Sequence, residues 1–374
     1  MVYPSFGDAW CDAMSPARCP AGRCVSTGGP VLQSLTMKIE LQPFDRDRHT
    51  DVAAELLAER HQRDRARESM FPQSFEDPAV CRPVIEHAFD APGWEGVVAF
   101  AGGSPAGFAI VTVLDTPPSH LLANFFPPRG ASLGYPNHAT RDGIEYDVYR
   151  AMFAELAASF VARGYFDVAV NILAADVASR EAWVSLGFGR TMTCAIRGVG
   201  PTERTAASKV ELHQAVAEDA EVVFQLNDEL MLHHVRAPIF NPYMRESDAA
   251  SHDFQKGLLA QPDANSHWVA YESGRPVAMN TFMQPFFLSP LTVPEKTIYL
   301  FQGIVTEDVR AGGVGTAVLS RGVEWAREQG YQHVALHFAS ANVQGAKFWQ
   351  SSGFRPVEHG MRRHIDERIA WANR

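Results

Sequence analysis

GYFDVAVNILAADVASREAWVSLGF occupies residues 164–188, and GYQHVALHFASANVQGAKFWQSSGF occupies residues 330–354. Slid by 166 residues, the two stretches agree at ten of 25 positions without a gap, among them Gly164/Gly330, Trp183/Trp349 and Gly187/Gly353. Unrelated segments of that length would share about one or two at average residue usage. Each stretch reads as a short apolar strand, then a helix stopped by a glycine. Such a unit cannot bury its apolar faces alone, so the recurrence predicts two tandem copies of a larger α/β unit.

Working outward, the same order of elements recurs on both sides. The first copy shows a strand at 38–41 and a helix through Val52, Leu56 and Leu57. Strands at 96–101 and 107–114 flank Gly102-Gly103, an irregular Pro-rich stretch covers 117–136, and a helix covers 145–163. The second copy shows a strand at 209–212, a helix at 218–234 and a hairpin of 266–271 with 276–283 around Ser273-Gly274. A strand at 297–306 and a helix at 313–329 follow. Hairpins, a βα unit and a closing βαβ together predict an α/β (α+β) mixed sheet with helices on both faces. The expected division is an unstructured extension at 1–36, a first domain at 37–197, a linker at 198–208 and a second domain at 209–374.

Composition narrows the partners. The 374 residues carry 33 Lys+Arg against 43 Asp+Glu, a net charge of −10. That balance argues against a general nucleic-acid binder and leaves room for a local cationic pocket. No apolar run reaches membrane-spanning length, and no cationic start precedes an apolar core, so the expected location is the cytoplasm, with no membrane partner. Three of the five cysteines, Cys11, Cys19 and Cys24, fall in the extension; no Cys/His pair follows the Cys19-x4-Cys24 spacing nearby, so no metal site is expected.

The sharpest motif is Arg310-Ala311-Gly312-Gly313-Val314-Gly315-Thr316, between a strand and a helix. Glycines let backbone approach a ligand, and a helix starting there aims N–H groups and its dipole at the loop, which suits a pyrophosphate. No Lys-Ser/Thr follows the glycines, so this is not a Walker loop.

R-x-x-G-x-G after a strand, then Asn342, then Gly353-Phe354, resembles the GNAT family of acyl-CoA-dependent N-acyltransferases. The resemblance spans most of residues 37–366 as two domains and is specific only in the second. It implies acetyl-CoA as co-substrate, with its pyrophosphate in the loop Arg310–Thr316 and its pantetheine arm along Gly303, Ile304 and Val305. It implies that Asn342 contacts the cofactor near its reactive end. In some members a carboxylate five residues before that Asn serves as base, and here the position is His337, whose ordinary pKa suits the role or a plain strand-end hydrogen bond. Val305 N–H would hold the oxyanion. The family's frequent Tyr acid, seven residues after the Asn, is replaced by Trp349, which either packs on the pantetheine or acyl group or fills the core.

In the first copy the loop glycines Gly313 and Gly315 map onto Asp147 and Tyr149, and Arg310 onto Ile144. Acidic residues there repel a pyrophosphate, so the first copy is expected to have lost the cofactor. His233, His234, Arg236, Pro238 and Phe240 are expected near the substrate groove, with Asp228 and Glu229 able to attract an amine. The expected activity is transfer of an acetyl or other acyl group to a small-molecule primary amine. A non-catalytic acyl-CoA sensor or scaffold, and acylation of a thiol or hydroxyl, remain open.

Overall fold

The computed structural model describes residues 38–201, 210–285 and 288–372. The expected extension at 1–36 and residues 202–208 of the expected linker lie outside them. The first half contains β1 (Ile39–Pro43), α1 (Arg46–Arg67), α2 (Pro78–His87), β2 (Glu95–Ala101), β3 (Ser104–Asp115), β4 (Arg129–Leu133), β5 (His138–Thr140), α3 (Glu145–Ala162), β6 (Asp167–Leu173), α4 (Val177–Ser185) and β7 (Gly189–Gly198). The second contains β8 (Glu211–Gln214), α5 (Ala220–Val235), α6 (Asp248–Leu259), β9 (Ser266–Glu272), β10 (Arg275–Met283), β11 (Thr297–Val305), α7 (Val314–Glu328), β12 (His333–Ala339), α8 (Val343–Ser351) and β13 (Arg355–His364). The 166-residue shift carries β6 onto β12 and β7 onto β13 residue for residue.

The architecture is the expected mixed α/β sheet, but the halves do not close separately. The strand order is β1-β2-β3-β4-β6-β13-β7-β12-β11-β10-β9-β8, with β5 on β3. Each half gives its last strand to the other: β13 pairs with β6, and β7 pairs with β12. The registers are symmetric, His333 facing Gly198 and His364 facing Asp167. β7 and β13 pair with one another at the centre. β7 runs through Gly198, the first residue of the expected linker.

Alternation explains the exchange. Cys194 and Ile196 of β7 point to a core that also holds Tyr299, Ala335 and Val357 of the second half. Ala195, between them, packs with the α7 side of the second half. The Ala195 face of β7 is thus buried by the second half, and its Cys194/Ile196 face lies in a core that both halves share. A chain built this way is expected to unfold as one unit, giving a single calorimetric transition with equal van't Hoff and calorimetric enthalpies. Two resolved transitions would contradict the exchange.

α5 and α6 lie over β11 and are tied to it by a buried polar chain. Gln302 Nε2 donates to Asn227 Oδ1 (2.6 Å), Gln255 Nε2 to Gln302 Oε1 (2.8 Å), and His267 Nε2 lies 3.0 Å from Gln255 Oε1. Fully satisfied chains of this kind fix one packing arrangement. They hold β11 in place where it leaves its neighbour.

Candidate functional site

β11 and β12 pair in parallel from Thr297/His333 to Leu300/Leu336. Pairing stops there, although β11 continues to Val305 and β12 to Ala339. On its other edge β11 stays on β10, and Thr306 N–H donates to the Val277 carbonyl at 2.8 Å. Backbone groups alternate in direction along a strand, so the N–H groups of Gly303 and Val305 face the opened gap. Arg310 Nε donates to the Val305 carbonyl at 3.0 Å from that side.

The gap leads to the glycine loop. Ala311 (φ 66°) and Gly313 (φ 84°) are both left-handed, a region that glycine enters without strain. Gly313 caps α7, and no side chain caps that first turn. The N–H groups of Val314, Gly315 and Thr316 therefore have no partner within the helix and can take an anion. Arg310 stands beside the loop, with Nη2 3.5 Å from His233 Nδ1 and Nη1 3.5 Å from Gln344 Oε1.

Trp349 closes the other side. A Cβ added to Gly303 would lie 2.8 Å from its ring, so glycine is what lets the indole rest on β11. Phe348 and Phe354 meet it edge-on at 4.9 and 5.7 Å between centroids, and it also lines the cavity. The residue thus packs and faces the cavity at once. Trp349→Phe should cost about 1–3 kcal/mol in denaturant unfolding and alter the preference among acyl-CoA chain lengths. Unchanged stability would contradict the packing role.

Asn342 lines the cavity, but its Oδ1 caps α8, accepting from Gly345 N–H at 2.9 Å. Asp176, its counterpart, caps α4 in the same way through Ser179 N–H at 3.2 Å. Capping therefore explains this position in both halves.

His337 lines the same cavity and stacks on Tyr299, centroids 5.6 Å apart. The Tyr299 hydroxyl stands against its Nδ1. Tyr299 is fully buried, and its phenol is held well above its ordinary pKa by that burial. A neutral buried hydroxyl is satisfied by donating to Nδ1, which puts the ring proton on Nε2. Burial, and then His234, pull the His337 pKa down to about 4. The imidazole is neutral at pH 7, but it is a far weaker base than its unperturbed value suggests.

The acidic group that sequence reasoning missed is Glu358 on β13. It is 1% exposed yet lines the cavity. Asn171 Nδ2 donates to its Oε1, and Thr292 Oγ1 donates to its Oε2 at 3.2 Å. Burial outweighs those bonds and raises its pKa to about 7. No repeat signal marks it, because its counterpart is Met192. It reaches the site only through the strand exchange.

These residues share one cavity of about 870 Å³, which runs from the glycine loop to Ser132, Asn171 and Met192 of the first half. His233 and His234 of α5 line it, while Arg236 pairs with Glu307 at 2.6 Å on the surface. Phe240 is exposed at 71%, and Asp228 accepts a 2.7 Å bond from the Tyr243 hydroxyl. Neither of those two lines the cavity. Among the described residues no group of three or more His, Cys, Asp or Glu side chains could hold a metal ion.

The first half is built differently at its own loop position. α3 begins at Glu145, three residues before the counterpart of the α7 start, so a helical turn replaces the loop. Tyr149, at the Gly315 position, is 1% exposed; its hydroxyl lies 2.9 Å from His138 Nδ1, and its ring lies 5.2 Å from Trp183. The slot is filled by the chain's own side chains.

Residues 229–354 match the family model of the acetyltransferase (GNAT) family. No curated protein matches the chain. A GCN5-related N-acetyltransferase from Sphaerobacter thermophilus shares the fold over 87% of this chain and 96% of its own, at TM-score 0.56 and 13% identity. The glucosamine N-acetyltransferase region of a fungal multi-domain β-N-acetylglucosaminidase matches over 87% of this chain and 38% of its own, at TM-score 0.53 and 10% identity. At these identities the likeness shows the fold, and the GNAT fold accordingly runs through both halves. Among the described residues no helix is long and apolar enough to cross a membrane.

Proposed function

From a chain whose residues 229–354 carry a GNAT acetyltransferase family domain, we propose transfer of an acyl group, acetyl in the first instance, from acyl-CoA to a primary amine of a small molecule. One observation carries this reading: an uncapped helix N-terminus, an opened strand pair and a buried carboxylate meet in one cavity. The pyrophosphate would sit on the N–H groups of the Ala311–Thr316 turn. The pantetheine arm would complete the unpaired edge of β11 along Gly303, Ile304 and Val305. That leaves the thioester at the mouth of the gap, where Val305 N–H can stabilise the oxyanion of the tetrahedral intermediate.

An ammonium must lose a proton before it attacks. The best general base has a pKa near the working pH. Glu358, at about 7, meets that condition, and His337, at about 4, does not. The base role considered for His337 therefore passes to Glu358, acting directly or through one water, and His337 becomes a neutral hydrogen-bonding wall. Trp349 has no usable acidic proton. A thiol of pKa ~8.5 leaves as thiolate without one.

His337→Ala is accordingly expected to lower kcat about tenfold or less and to leave the pH limb near neutrality in place. Loss of that limb in this variant would return the base role to His337. Titration calorimetry should find one coenzyme A per chain, because the first-half slot is filled by Tyr149. Two equal sites, or none, would sink the proposal.

A further inference from the structure

We propose that the first-half end of the cavity is the acceptor site and that it takes an amine also bearing an anionic group, the ammonium at Glu358 and the anion at Arg362. This inference rests on the acyltransferase reading above and names its substrate class. β13 keeps an unbroken register with β6 from Glu358/Leu173 to His364/Asp167. Side chains alternate along a strand, so Glu358, Gly360 and Arg362 share one face, and all three line the cavity. The Cα atoms of Glu358 and Arg362 are then ~13 Å apart, with Gly360 between them and the Met192 side chain lying over it.

The two charged ends differ in what they lack. Glu358 is fully buried and has two neutral donors, Asn171 and Thr292; among the described residues no cation pairs with it directly, and Arg60 acts on it only through its charge. Arg362 is half-buried, and its one hydrogen bond among the described residues goes to the Phe125 carbonyl at 3.1 Å. Desolvation lowers its pKa, with only Asp167 opposing. A guanidinium of five donors that uses one on a carbonyl retains the fork that binds a carboxylate or phosphate. An acceptor holding both ends would supply each with its missing counter-charge. Phe125, Phe126 and Met192 line the same end of the cavity and suit an apolar body between the two groups.

The test is thiol release from acetyl-CoA by wild-type protein with ω-amino acids of increasing chain length and with their matched primary amides. The acids should exceed the amides in kcat/KM by ~10–100-fold at the best length, the value of hydrogen bonds to a charged group. Arg362→Gln should bring that ratio close to one, and Arg362→Lys, which keeps the charge, should retain part of it. Amides that react as well as acids in the wild type would overturn the proposal and leave the acyltransferase reading standing, and no variant need fold for that result. A preference that survives Arg362→Gln would overturn the Arg362 assignment. Bound acetyl-CoA with no thiol release to any amine would overturn both readings.

Discussion

Gly313→Glu is expected to abolish coenzyme A binding in titration calorimetry, a loss of at least ~10³-fold. Two effects add. Gly313 sits at φ 84°, where a side chain costs about 1–2 kcal/mol. The new carboxylate also stands at an anion site whose hydrogen bonds to a charged ligand are worth about 1.5–3 kcal/mol each. The melting temperature should fall only slightly, because the loop lies outside the core. The control is Asp147→Gly in the first half. It removes the acidic residue at the equivalent place, yet stoichiometry should stay at one, since α3 already covers the loop position and Tyr149 fills the slot. Retained affinity in Gly313→Glu would move the pyrophosphate elsewhere.

Glu358→Gln carries the second large effect. The kcat/KM of the wild type should rise with pH through about 7 as the carboxyl ionises, then level. The groups that act on it are Asn171 on β6, Thr292 between β10 and β11, Cys194 on β7, Tyr135 after β4 and Arg60 on α1. Of these only Arg60 carries a charge at neutral pH, so the limb belongs to Glu358. The amide cannot accept a proton, so the limb should vanish and the rate should drop ~10²–10⁴-fold. An acceptor amine whose own pKa lies well above the measured range keeps its titration apart. Stability separates chemistry from folding. A carboxyl whose folded pKa is raised holds its proton in the native state while the unfolded chain has released it. Stability therefore falls as pH rises from the unfolded pKa, near 4.5, to about 7. Glu358→Gln removes that cost and should melt higher than wild type at pH 8. A wild-type rate and limb in this variant would exclude Glu358 as the base.

Most of the fold was legible because it is written twice. The match of 164–188 with 330–354 announced two copies, and Gly187 and Gly353 stop their helices in the left-handed conformation, as glycine permits. The hairpin turns at Gly102-Gly103 and Ser273-Gly274 fell where expected. Other elements were hidden for local reasons. α2 begins on Pro78 and contains Pro83, residues that read as loop. β4 lies in the Pro-rich stretch read as irregular, and its conformation is set by pairing with β3 and β6. β13 contains Glu358, His359 and Arg362, whose polarity obscures a strand buried between two others.

The site divides along the same line. The glycine loop and the β11 edge depend on local backbone, which a motif and a strand order can carry. Glu358 and Arg362 depend on which half receives β13, a long-range choice that no local pattern carries. His337 was identifiable as a cavity residue, but its pKa is set by burial against Tyr299 and by the nearby His234, neither adjacent in sequence. Asn342 also stands beside His233, a neighbour supplied by α5.

Acyl transfer itself can be followed on both products at once. Wild-type protein is incubated with acetyl-CoA labelled in the acetyl group and an amino acid of the preferred length, and the free thiol and the acceptor's mass are measured together. One thiol should be released per labelled acetyl found on the acceptor nitrogen, and neither product should form with Gly313→Glu. Stoichiometric binding of acetyl-CoA without labelled acceptor, across acids, amides and simple amines alike, would contradict acyl transfer and mark the cavity as that of an acyl-CoA sensor.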